Sequence, residues 1–152
     1  MPSTPTEALL DVNLLIAAVF ADHVNHVMAR RFVEGLSRFY TTPTTQGGFL
    51  RFATRPWKNV QKQEQPPRLS MTDALERLRE LTAVETHAFL PDDEPFVGLD
   101  ARQLQGHRQW TDAYLLRLAR QHKLTVASLD NRMASLDRPA TPVFFLVAGA
   151  SV

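Results

Sequence analysis

Three aspartates, Asp11, Asp112 and Asp130, mark the places where this chain could do chemistry. Asp11 follows the apolar run Ala8-Leu9-Leu10 and precedes Val12 and Asn13, so two short polar side chains interrupt an otherwise apolar stretch. Asp130 closes a second apolar run, and Asp112 stands near the start of a helical pattern. Carboxylates gathered at one place repel one another and resist leaving water unless protons or cations compensate. Magnesium answers that need with oxygen ligands at roughly 2.0–2.1 Å and keeps room for water and phosphate. Each aspartate also has a bland explanation: Asp112, after Thr111, as a helix cap, Asp130 as the start of a turn into Asn131-Arg132, and Asp11 as an Asx turn. It is their joint placement that points to chemistry.

The inventory narrows that chemistry. The chain has no cysteine, which removes thiolate metal sites, disulfides and cysteine nucleophiles. With 17 basic and 16 acidic residues the formal net charge is +1, so no global field draws a polyanion; a local patch or a bound metal must do so. Oxygen donors favour magnesium or manganese. Residues 1–7 lack the basic and apolar blocks of a signal peptide, and residues 143–150 fall far short of the roughly 20 a spanning helix needs. The expectation is a cytoplasmic protein without membrane contact, and 152 residues suit one domain.

The elements must bring the aspartates together. Ala8-Leu9-Leu10 reads as a buried strand delivering Asp11-Val12-Asn13 at its end, where open α/β sheets place their chemistry. Beyond Asp22, the expected N-cap, Val24, Val27, Met28, Phe32 and Leu36 predict an amphipathic helix stopped near Gly35. Phe39-Tyr40 predicts a second strand, followed by a helix that begins over residues 43–46 and that Gly47-Gly48 should weaken. The segment 54–68, broken by Pro56, Pro66 and Pro67, reads as a surface loop or lid. Ser70 should cap a helix carrying Ala74, Leu75, Leu78 and Leu81. Strands are expected at 87–90, 124–129 and 143–147, with a helix at 109–121. Strands separated by helices mean an α/β fold with a mainly parallel central sheet.

In this order the motifs resemble those of the PIN domains, and within them the toxin ribonucleases of bacterial type II toxin–antitoxin pairs called VapC. The resemblance rests on Leu9-Leu10-Asp11-Val12-Asn13-Leu14-Leu15-Ile16 and on Gly47-Gly48-Phe49-Leu50-Arg51. It continues in Gly106-His107-Arg108-Gln109-Trp110-Thr111-Asp112-Ala113-Tyr114-Leu115, followed by Thr125-Val126-Ala127-Ser128-Leu129-Asp130. It covers nearly the whole chain and implies a single PIN domain over 1–152, a three-layer α/β/α sandwich. The implied activity is Mg2+- or Mn2+-dependent endoribonuclease cleavage leaving a 5′-phosphate and a 3′-hydroxyl. Asp11, Asp112 and Asp130 fall on the catalytic, metal-holding acids, and Asn13 and Ser128 on supporting polar positions. The implied partners are RNA, a cognate VapB-type antitoxin that lays a peptide across the groove, and a second copy in a homodimer.

Gln46 departs from the pattern: many relatives carry a glutamate there. An amide brings no charge, so the cluster falls from four anions to three and a second metal should bind more weakly, unless another acid such as Asp100 moves in. Arg51 and His107 are candidate supporting residues, Arg51 by pairing with an acid and His107 by orienting a phosphate or a ligand carboxylate. Arg55, Trp57 and Lys58 are candidate RNA contacts, with phosphates held by the bases and a nucleobase stacked on the indole. His23, His26, His87 and His122 read as structural. Val24, Val27 and Met28 read first as core and second as an antitoxin contact. Two rival functions follow from the same residues. One is an impaired PIN-like module that binds RNA or antitoxin without cutting; the other is an aspartyl-phosphate phosphatase, whose second acid two positions on would here be Asn13.

Overall fold

A computed structural model describes residues 3–148 of the chain; Met1, Pro2 and residues 149–152, which include the end of the last apolar stretch, lie outside the described residues. The elements run β1 (Glu7–Leu10), α1 (Val12–Val19), α2 (His26–Glu34), β2 (Arg38–Thr41), α3 (Pro43–Thr54), β3 (Trp57–Lys58), β4 (Glu64–Gln65), α4 (Met71–Thr82), β5 (His87–Phe89), α5 (Gln109–Gln121), β6 (Thr125–Ser128) and β7 (Phe144–Leu146). Five strands form one parallel sheet in the order β5-β2-β1-β6-β7. The strand order reverses between β1 and β6, and in such sheets the crevice beyond the carboxyl ends at that reversal is where ligands bind.

Alternation along the strands divides the core. Ala8 and Leu10 of β1 and Ala127 of β6 point to one face, where they pack with Leu14, Leu15, Phe49, Ala74 and Leu78 of the first four helices. Leu9 and Val126 point to the other, against Tyr114, Leu115, Leu118 and Met133. This is the three-layer α/β/α arrangement, and sealing residues such as Leu9 and Leu14 contributes about 1.5–3 kcal/mol each. Among the described residues no helix is long and apolar enough to cross a membrane.

Several expectations are corrected. The first strand ends at Leu10 as expected, but a helix not expected from the sequence, α1, follows at once with Asp11 as its N-cap. The following helix starts at His26 rather than after Asp22, and Asn25 occupies the cap position. Val24 and Val27 are exposed, which overturns their reading as core, while Met28 is half-buried against it. Gly47-Gly48 does not interrupt α3, which Thr42 and Thr45 start with reciprocal side-chain-to-backbone bonds. Gly48 is there for contact: a Cβ at that position would lie 2.6 Å from Val12 Cγ2. The 54–68 segment holds an antiparallel hairpin, β3 with β4.

Candidate active site

At the end of β1 the peptide N–H of Val12 donates to Asp11 Oδ1 at 2.8 Å, fixing one carboxylate oxygen as the helix cap. Ser128, the last residue of the neighbouring β6, lies 2.8 Å from Asp11 Oδ2 and 3.2 Å from Asn13 Oδ1. A hydroxyl has one proton, and the shorter bond to a charged acceptor takes it. Asn13 completes the join: its Nδ2 donates to Ser128 Oγ at 3.0 Å and Asp130 Oδ2 at 3.1 Å, and its Oδ1 accepts from Leu129 N at 3.1 Å. Asp11, Asn13, Ser128 and Asp130 thus form one network across the β1–β6 boundary. Asp130 also makes the expected turn, with Arg132 N donating to its Oδ1 at 2.9 Å.

Asp112 arrives from the other side, in the first turn of α5; it is not the cap, a position held by Arg108. Its carboxyl is half-buried and is pushed up to about 6, first by burial and then by the negative charge of Asp11. Burial also raises Asp11, against the lowering pull of Ser128 and Val12. Asp130 moves the opposite way, because Arg132 donates to its Oδ2 from Nε at 3.0 Å and from a terminal nitrogen at 2.7 Å. Arg132 also acts electrostatically on Asp11 and Asp112.

Gln46 lies in the first turn of α3, and its Nε2 donates to Thr41 Oγ1 at 3.0 Å; that oxygen lies 2.7 Å from His87 Nε2. This polar chain holds the amide against β2 and β5, and burial lowers the pKa of His87. Asp100 does not replace the missing acid: it is exposed and bound to Arg102.

The donor set suits a hard divalent cation, since the ionisable groups are carboxylates and burial works against the charged forms of Asp11 and Asp112. The expected three-aspartate cage is not closed, however: among the described residues no three His, Asp or Glu side chains gather at ligating distance. Asp130 is turned to Arg132, so Asp11 and Asp112 are the acids left to a cation.

The remaining candidates are dispersed. His107 is exposed ahead of α5. Arg51 pairs with no acid among the described residues; its guanidinium lies back along α3, with one terminal nitrogen 3.2 Å from where a Cβ on Gly47 would sit. Arg55, Trp57 and Lys58 lie past the far end of α3 and in β3, outside the carboxylate cluster. His23 accepts from Asn25 N, His26 bonds the Ala17 carbonyl and His122 meets Asp93, all structural roles. Sequence reasoning missed Arg132, Thr41 and His87. A groove of about 400 Å³ bounded by Leu99, Leu116, Arg117, Arg120 and Arg138 contains none of the three aspartates.

Comparison with known proteins agrees with this arrangement. The PIN domain model matches residues 8–139. Ribonuclease VapC38 of Mycobacterium tuberculosis is 36% identical over 143 residues, covering 91% of this chain and 97% of the relative. Ribonuclease VapC29 of the same organism is 37% identical over 129 residues, covering 84% and 89%. The crystal structure of M. tuberculosis VapC20, described as a sarcin–ricin loop cleaving toxin, superposes with a TM-score of 0.61 at 12% identity, covering 89% of this chain and 98% of that one, a likeness of fold. With an acidic cluster at the sheet's switch point, a family match over most of its length and close curated relatives, this chain belongs to the PIN domain family, alongside proteins named VapC.

Proposed function

We propose that this chain is a Mg2+- or Mn2+-dependent endoribonuclease that hydrolyses RNA phosphodiester bonds and is held in check by a VapB-type antitoxin. The observation that carries the reading is the hydrogen-bonded network of Asp11, Asn13, Ser128 and Asp130 at the β1–β6 switch point, with Asp112 of α5 near enough for the charge of Asp11 to raise its pKa. The relatives named ribonucleases supply the ground for RNA as substrate.

Asp11 and Asp112 would hold the cation, and Asp130 would join them only on releasing Arg132. When bound, such an ion lowers the pKa of a water and offsets charge on a phosphoryl oxygen. Ser128 and Val12 keep Asp11 in one orientation, and Asn13 keeps Asp130 beside it. Asp112, whose ionised form is favoured by no hydrogen bond, stays adjustable and can take a proton at its carboxylate near neutral pH. Arg132 balances the charge of Asp130. Val24 and Val27, exposed before and within α2, offer apolar contact to an antitoxin or to a second copy in a homodimer.

Digestion of end-labelled RNA tests this. Cleavage should need Mg2+ or Mn2+, stop with chelator, and fall at least about a hundredfold in Asp11→Asn and Asp112→Asn. A wild type that binds RNA but is as inert as both variants in every cation would leave an RNA-binding module instead. Trapping a phosphoryl group on Asp11 would replace the nuclease with a phosphatase.

A further inference from the structure

The last turn of α3 and the hairpin after it bring two guanidiniums to one aromatic ring. Arg68 lies with its guanidinium carbon 4.3 Å from the centroid of Phe52 and 4.5 Å from that of Trp57, over both rings at once. Arg55 lies 5.3 Å from the same Phe52 ring. Both arginines are exposed, and among the described residues neither has a carboxylate within ion-pairing distance. Seven other arginines do, including Arg120 with Asp137 and Arg132 with Asp130. The charge of Arg55 opposes that of Arg68, in addition to the burial that already lowers its pKa, and Asp22 offsets this only from a distance.

Contact with a ring does not use up the N–H donors of a guanidinium, and neither side chain donates a hydrogen bond among the described residues, so the fork that matches a phosphate is available. Two such forks on one ring are mutually repulsive until an anion lies between them. The position is connected to the carboxylates by α3: Arg51 reaches back over Gly47, next to Gln46, and Arg55 follows one turn later. From Gly47 to Arg55 is about 12 Å of helix, a span that a short run of nucleotides can follow.

We propose that Arg55 and Arg68, mounted on Phe52 and Trp57, form a backbone-phosphate subsite for single-stranded RNA, reached from the acidic cluster along Arg51. This rests on the ribonuclease reading and adds where the substrate strand runs. Neutralising a phosphate contact releases counterions, so each lost contact should lower the slope of log Kd against log salt by about 0.7 for a single strand.

The test is anisotropy with a labelled single-stranded RNA across a salt series, using Asp112→Asn protein so that the RNA survives. Arg55→Gln should lower the slope by about 0.7 and the double variant Arg55→Gln/Arg68→Gln by about 1.4. Arg77→Gln, exposed on α4 and also without an ion pair among the described residues, should leave it unchanged. Because Arg68 also packs the hairpin, Arg68→Lys serves as the folding-safe partner: it keeps the charge and should keep most of the slope. RNA bound with the parent slope by Arg55→Gln and the double variant overturns the subsite while leaving the nuclease intact. A change in oligomeric state with no change in slope overturns it in favour of a protein contact. An unsubstituted protein that neither binds nor cuts RNA overturns the ribonuclease reading itself.

Discussion

Asp11 and Asp112 feel each other's charge, yet they are held in opposite ways. Asp11 is fixed by a backbone N–H on one oxygen and a hydroxyl on the other, and Asn13 ties that network to Leu129 and Asp130. Asp112 is fixed only by the helix that carries it; burial and the charge of Asp11 both work against its ionised form. One half of the site is built to stay put and the other to be adjusted by whatever cation arrives. Structural stability therefore belongs to the β1–β6 side, and responsiveness to charge belongs to the α5 side.

The sharpest way to break this comparison is to remove one group from each half. Ser128→Ala leaves Asp11 and Asn13 short of a buried partner and should cost about 1–3 kcal/mol of stability along with activity. Asp112→Asn should abolish cleavage yet raise the melting temperature of the metal-free protein, because it deletes a repelled charge. Paired thermal melts and RNA digestion decide it; equal destabilisation by both changes would mean the two halves are held alike.

A pH series separates the halves next. Asp112, at about 6 in the fold, and Asp11, also raised, bind protons more tightly folded than unfolded. Their contribution is fully present below the ordinary carboxylate range near 4 and is lost as pH rises through about 6. For Asp112 the gap corresponds to at most about 3 kcal/mol, less what solvent screening removes from a half-buried group. Asp130 has the opposite sign: Arg132 lowers it, so its contribution is present at neutral pH and lost as acid protonates it. Metal-stripped protein should therefore lose stability between about pH 4 and 6.5, and Asp112→Asn should flatten that fall. A profile unchanged by the substitution would sink the assignment.

Much of this half-and-half design is legible in the order of residues. The strand ends at Asp11 and Asp130 follow from apolar runs stopping on polar residues, and α5 from the spacing of Ala113, Leu115, Leu116, Leu118 and Ala119. The helix α1 is not legible, because Leu14 to Ala18 are all buried and leave no polar face to set a period. The hairpin escapes because its strands are two residues each. Arg132 is visible only as part of a turn, and nothing in the chain order brings His87 to Thr41; that contact depends on β5 pairing with β2.

The glycines give a smaller contrast inside α3. Gly48→Ala would drive a Cβ to 2.6 Å from Val12 Cγ2, beside Asp11, and should cost about 1–3 kcal/mol with reduced activity. At Gly47 the near neighbour, at 3.2 Å, is the movable end of Arg51, and alanine improves helix propensity by about 1 kcal/mol. Gly47→Ala should therefore be neutral or stabilising in chemical denaturation. If both cost the same, the close approach of α3 to α1 is not what Gly48 serves.

Gln46→Glu sharpens the comparison most finely, since it adds a charge from α3, which belongs to neither half. The amide now donates to Thr41, and because the other ring nitrogen of the neutral His87 bonds the Thr82 backbone, Nε2 is the acceptor of the threonine proton. A carboxylate only accepts. Thr41 must then give its proton to the introduced carboxylate, and His87 Nε2 must donate, by tautomer exchange or by protonation. The substitution should raise the His87 pKa in an NMR titration. It should also tighten Mn2+ binding by about 1 kcal/mol, roughly fivefold, through the added anion. Both changes together place the carboxylate in the cluster. A risen histidine with unchanged Mn2+ affinity would show it facing Thr41 alone, and the shortage of a fourth anion would then have to be explained by the position of α3 rather than by the residue it carries.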